Sequence, residues 1–299
     1  QSAENLKITA ICAQTLPRRY CGRAPNGLRA QTMARKHPKR RTNPGKTHRR
    51  RSGGDPSAPN WLYGTHAVLA ALANPERICE RALISDDDDV ELARAAAEIG
   101  GHSTVIDRVS RDDVTAVLPA GAVHQGIALL TRPLEDPGIE DAMDRAMQSD
   151  NPCILVLDQV TDPQNVGAIL RTAAAFGAAA VVMQDRHAPP VTGALAKAAS
   201  GGLEAVALVR ETNLTRAIEA LKARDFWCIG LAGEVDATLA QSTVKGPTAL
   251  VLGAEGTGLR RLVAESCDTL AHIPHRDAVE SLNVSNAAAV ALYEISRTA

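Results

Sequence analysis

Side chains able to do chemistry gather in three short segments of the carboxy-terminal half of the chain. The first, DQVTDPQNVGAILRTAAAFG (158–177), carries Asn165 and Arg171 in a helical pattern. Its positions 166, 169, 170, 173 and 176 form one apolar face, leaving Gln164, Gly167, Ala168 and Arg171 on another. Arg171 is a lone arginine on a face of small residues, where a ligand or chain can approach closely, or else it makes an ordinary surface ion pair. The second segment, LGAEGTGL (252–259), sets three glycines around Glu255. It has neither the GxxxxGK[ST] spacing of a phosphate loop nor the GxGxxG spacing of a dinucleotide turn. A carboxylate there repels a polyphosphate and favours a cationic ligand. The third, HIPHRDAVESLNVSNAAAVALYE (272–294), places Glu280, Ser281, Asn283, Ser285 and Asn286 just before or within the start of a helix, more polar groups than one cap uses.

Other chemistries lack their signatures. No GxSxG elbow supports Ser-His-Asp hydrolysis. The eight histidines show no HExxH or other ligand spacing, so no metal site is expected. The six cysteines form no CxxC pair, and Cys153 and Cys228 sit in apolar runs as small buried hydrophobes, a pattern that fits a reducing cytoplasm. No apolar run approaches the ~18–20 residues of a membrane helix.

The elements that must position these segments follow from periodicity. From Cys153 onward short apolar runs alternate with helices, which predicts a parallel sheet covered on both faces. Ligands in such sheets bind beyond the carboxyl ends of strands, where all three segments fall. Asp162 caps the first helix and Pro163 suits its first turn. Upstream, residues 59–133 read as a small α/β domain: a helix over 64–74, a strand over 79–85, a helix over 89–100, a strand over 103–109, a Ser-capped helix from 110, and a strand over 121–131. The aspartates at 86–89 read as a solvated turn and helix start. Residues 134–151 form a linker with one short helix, and 152–299 the second domain.

Charge is divided unevenly. Residues 1–51 hold fourteen Lys and Arg and one acid, Glu4, about +13, so the remainder carries about −14 behind a net charge of −1. Residues 1–58 are therefore expected to be a disordered basic arm with nucleic acid as its partner. Met33 reads as a start site, with an organellar transit peptide the rival reading of residues 1–32. Seven aromatic residues in all are too few for a module that stacks splayed bases.

Together the three segments resemble the motifs of the SpoU/TrmH family, in the SPOUT class of RNA methyltransferases. The match runs through Asn165, Gly167 and Arg171; then Gly253, Glu255, Gly256 and Gly258; then Ile273, Pro274, Glu280, Ser281, Leu282, Asn283 and Ser285. YGTHAVLAAL (63–72) and GAVHQGI (121–127) are similar to the RNA-binding domain of family members that act on 23S rRNA guanosine. The resemblance implies an α/β fold with a deep trefoil knot in the carboxy-terminal sheet, and a homodimer with its active site near the subunit interface. It also implies S-adenosylmethionine as cofactor, held by the backbone of Gly253, Ile273 and Leu282, with Leu252, Gly258 and Pro274 beside them. The implied reaction is methyl transfer to a ribose 2′-OH of rRNA. Arg171 would act as base or stabilising cation, Glu255, Ser281 and Asn283 would hold Arg171 or the ribose and phosphate, and Asn165 would position substrate or loops. A tRNA ribose methyltransferase and a non-catalytic RNA-binding or ribosome-assembly factor are the alternatives. His275 and Asp277 stand where the family reads methionine and glycine in I-P-M-x-G.

Overall fold

The computed structural model describes residues 60–149, 152–186, 188–233, 235–276 and 281–298. The basic arm, Met33, Asp277 and Glu280 lie outside the described residues.

The amino-terminal unit is a four-stranded sheet of β1 (Asn60–Tyr63), β2 (Cys79–Ile84), β3 (Val105–Arg108) and β4 (Ile127–Thr131), in the order β1-β4-β2-β3. β4 runs antiparallel to both neighbours, and β2 and β3 are parallel. Helix α1 (Thr65–Ala73) is buried from Ala67 through Ala73, because it packs against α2 (Asp87–Gly100) as well as the sheet. The aspartate run starts α2 two residues before the sequence pattern does. The Asp86 carboxylate accepts from the Asp88 N–H at 3.0 Å, and Asp87, Asp88 and Asp89 fill the first turn, where the helix dipole favours negative charge. Ser110 and Asp113 form the capping box of α3 (Arg111–Ala116). The strand expected over 121–131 begins only at Ile127. Gln125 (φ 59°) and Gly126 (φ 88°) are left-handed and cannot continue an extended chain.

The carboxy-terminal unit is a six-stranded, all-parallel sheet: β5 (Cys153–Leu157), β6 (Ala180–Gln184), β7 (Ala207–Glu211), β8 (Trp227–Leu231), β9 (Thr248–Leu252) and β10 (Thr269–Ala271). Their order is β10-β8-β9-β5-β6-β7. CILVL in β5 and TALVL in β9 are buried throughout, as central parallel strands must be. Alternate residues feed two cores. Leu155, Leu157, Leu250 and Leu252 face α5 (Pro163–Ala175), α6 (Gly193–Ala199), α7 (Gly202–Ala205) and α11 (Val284–Thr298). Ile154, Val156, Ala249 and Val251 face α4 (Ile139–Ala146), α8 (Leu214–Lys222) and α10 (Arg261–Ser266). A short α9 (Leu239–Ser242) lies between β8 and β9. The expected knot involves the chain between β10 and α11, where residues 277–280 lie outside the described residues.

The two units share one core, in which Leu62, Leu72 and Ile84 join Leu155, Ile169 and Leu195. β1 lies so close to α6 that a Cβ on Gly193 would stand 2.4 Å from the Tyr63 ring and 2.6 Å from the Trp61 carbonyl oxygen. A buried ion pair joins Arg77 to Glu204, each side chain 2% exposed. Asn74 Nδ2 donates to Glu204 Oε2 at 2.7 Å, and Arg77 Nη1 to the Arg132 carbonyl at 3.1 Å. The small-residue face of α5 also serves packing. A Cβ on Gly167 would meet Ala198 Cβ at 2.5 Å and the Leu195 carbonyl at 2.8 Å, so Gly167 admits α6 and not a ligand. Among the described residues no helix is long and apolar enough to cross a membrane.

Candidate active site

The loop from β9 to α10 folds back on itself. Gly258 N–H donates to the Ala254 carbonyl at 2.9 Å, and Ala254 and Gly258 form a β-bridge. Gly256 (φ 79°) and Gly258 (φ 64°) supply the left-handed backbone this turn needs. Gly253 is required by proximity: a Cβ there would lie 2.1 Å from the Gly258 carbonyl carbon and 2.4 Å from Leu259 N.

One residue secures both ends of the loop. Asp158, at the carboxyl end of β5, is fully buried. Its backbone N–H donates to the Leu252 carbonyl at 2.8 Å. Its carboxylate accepts from Arg260 N–H at 2.9 Å, Arg260 Nε at 2.8 Å and Arg260 Nη2 at 2.7 Å. A buried carboxylate with these donors is charge-satisfied and holds fixed geometry.

Glu255 at the loop tip is held from the other side. Its Oε1 accepts from Asn283 Nδ2 at 2.5 Å, Asn165 Nδ2 at 3.3 Å and the Val284 backbone N–H at 3.3 Å. Asn283 Nδ2 also donates to Asn165 Oδ1 at 3.0 Å. Asn283 Oδ1 accepts from Ser285 N–H at 2.9 Å and Asn286 N–H at 3.4 Å, the N-cap arrangement for α11. The structure therefore brings Asn165, Glu255 and Asn283 from three separate segments into one cluster. It leaves Glu255 Oε2 without a partner among the described residues, beside the positive end of a helix.

These loops enclose a cavity of about 450 Å³ at the carboxyl ends of β8, β9 and β10. Its apolar wall comes from Leu231, Leu252, Ala271, Ile273 and Leu282, and its polar wall from the 253–258 backbone, Glu255, Ser281, His272 and His275. No Lys or Arg lines it among the described residues. Pro274 sits between two lining residues without joining the wall. Leu231, Ala232 and Gly233 do line it, although the sequence reading passed over them. The signal available was their place at the end of the strand beside β9. His275 Nδ1 lies 2.9 Å from the Ile273 carbonyl oxygen, which keeps the ring against its own turn.

Arg171 is not in this cluster. It lies six residues beyond Asn165 on α5, roughly 9 Å along the helix axis. It is exposed, does not line the cavity, and has no ion-pair partner among the described residues. Glu255 and Asn283 hold each other and Asn165, and neither holds Arg171. Elsewhere, burial pushes the thiols of Cys79, Cys153, Cys228 and Cys267 up to about 12, so none is a thiolate nucleophile at neutral pH. No group of three metal-ligating side chains occurs among the described residues.

Comparison with known proteins places this geometry. Residues 152–293 match the SpoU rRNA Methylase family, and residues 61–137 match the family described as RNA 2′-O ribose methyltransferase substrate binding. The 23S rRNA (guanosine-2′-O-)-methyltransferase RlmB of Yersinia pestis is 41% identical over 237 residues, covering 79% of this chain and 96% of the relative. The chain belongs to the SpoU methylase family. RlmB of Escherichia coli K12 is 40% identical, over 79% of this chain and 97% of its own. Among solved structures, the SpoU methyltransferase AviRb from Streptomyces viridochromogenes, in complex with AdoMet, has the same fold. Its TM-score is 0.66 at 22% identity, over 80% of this chain and 89% of that one. The substrate-binding match spans β1 to the start of the linker, and the SpoU match carries all three motif segments.

Proposed function

We propose that this protein transfers a methyl group from S-adenosylmethionine to the ribose 2′-OH of a guanosine in 23S rRNA. The carrying observation is identity of 40% and 41% to 23S rRNA guanosine 2′-O-methyltransferases over nearly their whole length.

The residues present fit the cofactor. A volume of about 450 Å³ suits a nucleoside-sized ligand. The wall offers apolar side chains for a base and a glycine backbone for close contact. Its carboxylate, with no opposing cation among the described residues, suits a positively charged ligand. Leu252, Gly253, Gly258, Ile273 and Leu282 would hold it, with Pro274 setting the turn between the last two. When bound, the cofactor supplies a methyl group on a sulfonium, an activated electrophile that carries its own leaving group.

The chain's part is to orient and polarise the hydroxyl. Asn165 and Asn283 fix Glu255, and Glu255 Oε2 and Ser281 remain free to position the ribose. A guanidinium is a permanent cation and a poor proton acceptor, so the role of Arg171 is to stabilise the developing alkoxide and not to abstract its proton. In one protomer Arg171 stands away from the cavity, which supports a homodimer whose partner completes the site. α11 exposes Val290 (45%) and Tyr293 (57%), and Tyr293 packs edge-on against Phe176, which ends the Arg171 helix. A second copy docked there would bring one protomer's Arg171 toward the other's cavity.

The test is incubation with labelled S-adenosylmethionine and unmethylated 23S rRNA, followed by mapping of the modified nucleotide. Ribose label is expected. Label on a base nitrogen, or none, rejects the reading. Arg171→Ala should abolish transfer with cofactor affinity intact.

A further inference from the structure

At the seam between the two sheets a lysine from one half of the chain and a glutamine from the other stand side by side over Gly64. Lys197, on α6, is half-buried and lays its stem across Gly64. A Cβ on Gly64 would stand 3.1 Å from Lys197 Cγ and 3.1 Å from Gln125 Oε1. Gln125 holds a left-handed backbone (φ 59°), and its Oε1 accepts from the Thr65 N–H at 3.3 Å. Its amide NH2 has no partner among the described residues.

Next to it, His124 Nδ1 accepts from the Gly126 N–H at 3.1 Å, so Nε2 carries the proton toward Thr115 Oγ1 at 3.0 Å. Burial holds this imidazole below its usual range, and the charges of Arg111 and Lys197 push it further down. Both cations thus act on one ring, with no carboxylate among the groups that shift it. Neither Arg111 nor Lys197 has an ion-pair partner among the described residues. Of the two acids on α3, Asp113 is engaged by Ser110, and Asp112 makes no ion pair with Arg111 among the described residues.

The seam adjoins the catalytic helix. Ala198, next to Lys197, is the residue that abuts Gly167, one turn from Arg171. A lysine whose stem is packed presents its ammonium at a fixed place. An ammonium and an amide NH2 together match a phosphodiester, which carries one negative charge and two acceptor oxygens, and the Arg111 charge acts in the same neighbourhood. With two Trp, three Tyr and two Phe in the chain, stacking on bases contributes little, and grip must fall on the backbone.

We propose that Lys197 and Gln125 form a phosphate-binding subsite for the backbone of the substrate RNA, gripping it at the seam between the two domains. This rests on the RNA methyltransferase reading above. The test measures binding of in vitro transcribed 23S rRNA against salt concentration for the full chain, Lys197→Gln and Lys197→Arg. Lys197→Gln should weaken binding about fivefold and reduce the slope of log affinity against log salt by roughly 0.7–1. It should raise KM for RNA with kcat and S-adenosylmethionine affinity unchanged, and Lys197→Arg should recover most of the loss. An unchanged slope and affinity overturns the subsite. So does a loss shared equally by cofactor binding and melting temperature, which marks a structural lysine. A wild-type protein that binds the transcript through Lys197 but leaves it unmethylated would reject the proposed reaction and keep the subsite.

Discussion

Gly253→Ala tests the cofactor loop most sharply, because the conflict it creates is with backbone and cannot be relieved by a rotamer. The new Cβ would stand 2.1 Å from the Gly258 carbonyl carbon and 2.3 Å from its oxygen, where ordinary contact begins near 3.4 Å. The returning strand of the loop must retreat by about 1.3 Å. Asp158 pins residues 252 and 260, so the retreat concentrates at Glu255–Gly258, against the cavity. A misplacement of ~1 Å in a preorganised site costs about 100-fold, close to 2.7 kcal/mol. Calorimetric titration should show S-adenosylmethionine binding weakened by about that factor, with far-UV circular dichroism unchanged. Gly256→Ala is the control. Its Cβ meets nothing within 4 Å, yet φ is 79°, so it should cost roughly 1 kcal/mol of stability and little affinity. Wild-type affinity in Gly253→Ala would refute the close-approach argument.

Three further perturbations probe other parts of the molecule. Glu204→Ala leaves Arg77 charged and buried, so urea denaturation should show a loss of about 3–5 kcal/mol, far more than an exposed pair would give. His124 is held below its unfolded value of 6.5 by burial and then by Arg111 and Lys197, so the unfolded chain binds the extra proton first. Its stabilising contribution is therefore present above pH 6.5 and lost as pH falls below it; the urea midpoint should drop less between pH 7.5 and 5.5 in His124→Asn than in the wild type. Removing residues 1–58, with a charge of about +13 up to residue 51, should weaken 23S rRNA binding and flatten its salt dependence; an unchanged slope would make the arm a bystander.

Much of the fold was legible because local rules and tertiary needs agree. Apolar runs such as CILVL announce a doubly covered strand, and Asp162-Pro163 and Ser110-x-x-Asp113 announce helix starts that the structure keeps. The failures have physical causes. The run 121–131 alternates like a strand, but Gln125 and Gly126 turn left-handed, and the Gln125 side chain accepts from the Thr65 N–H at the start of α1. β1 is four residues long and is defined by pairing with β4, information absent from its own sequence. The seam pair Arg77–Glu204 joins residues 127 positions apart with no local pattern to mark them. At the site, glycine spacing and clustered polar residues marked the segments at 252–259 and 272–294, which the structure brings around one cavity. Glu255's partners were unreadable, because Asn165 and Asn283 meet it only through the sheet order. At Gly167 the small-residue face admits a close neighbour, as its sequence allows, and that neighbour is a helix.

Asp158 shapes the cavity without standing in its wall. The pocket's outline is drawn by main-chain atoms and by a carboxylate behind them, so the wall's own side chains carry little of the burden of keeping it open. Substitutions along the rim can then accumulate without collapsing the site. The histidine at 275, where relatives are expected to keep methionine, is the kind of drift such a division of labour tolerates. A survey of rim variants should find cofactor affinity far less sensitive to residue 275 than to residue 158.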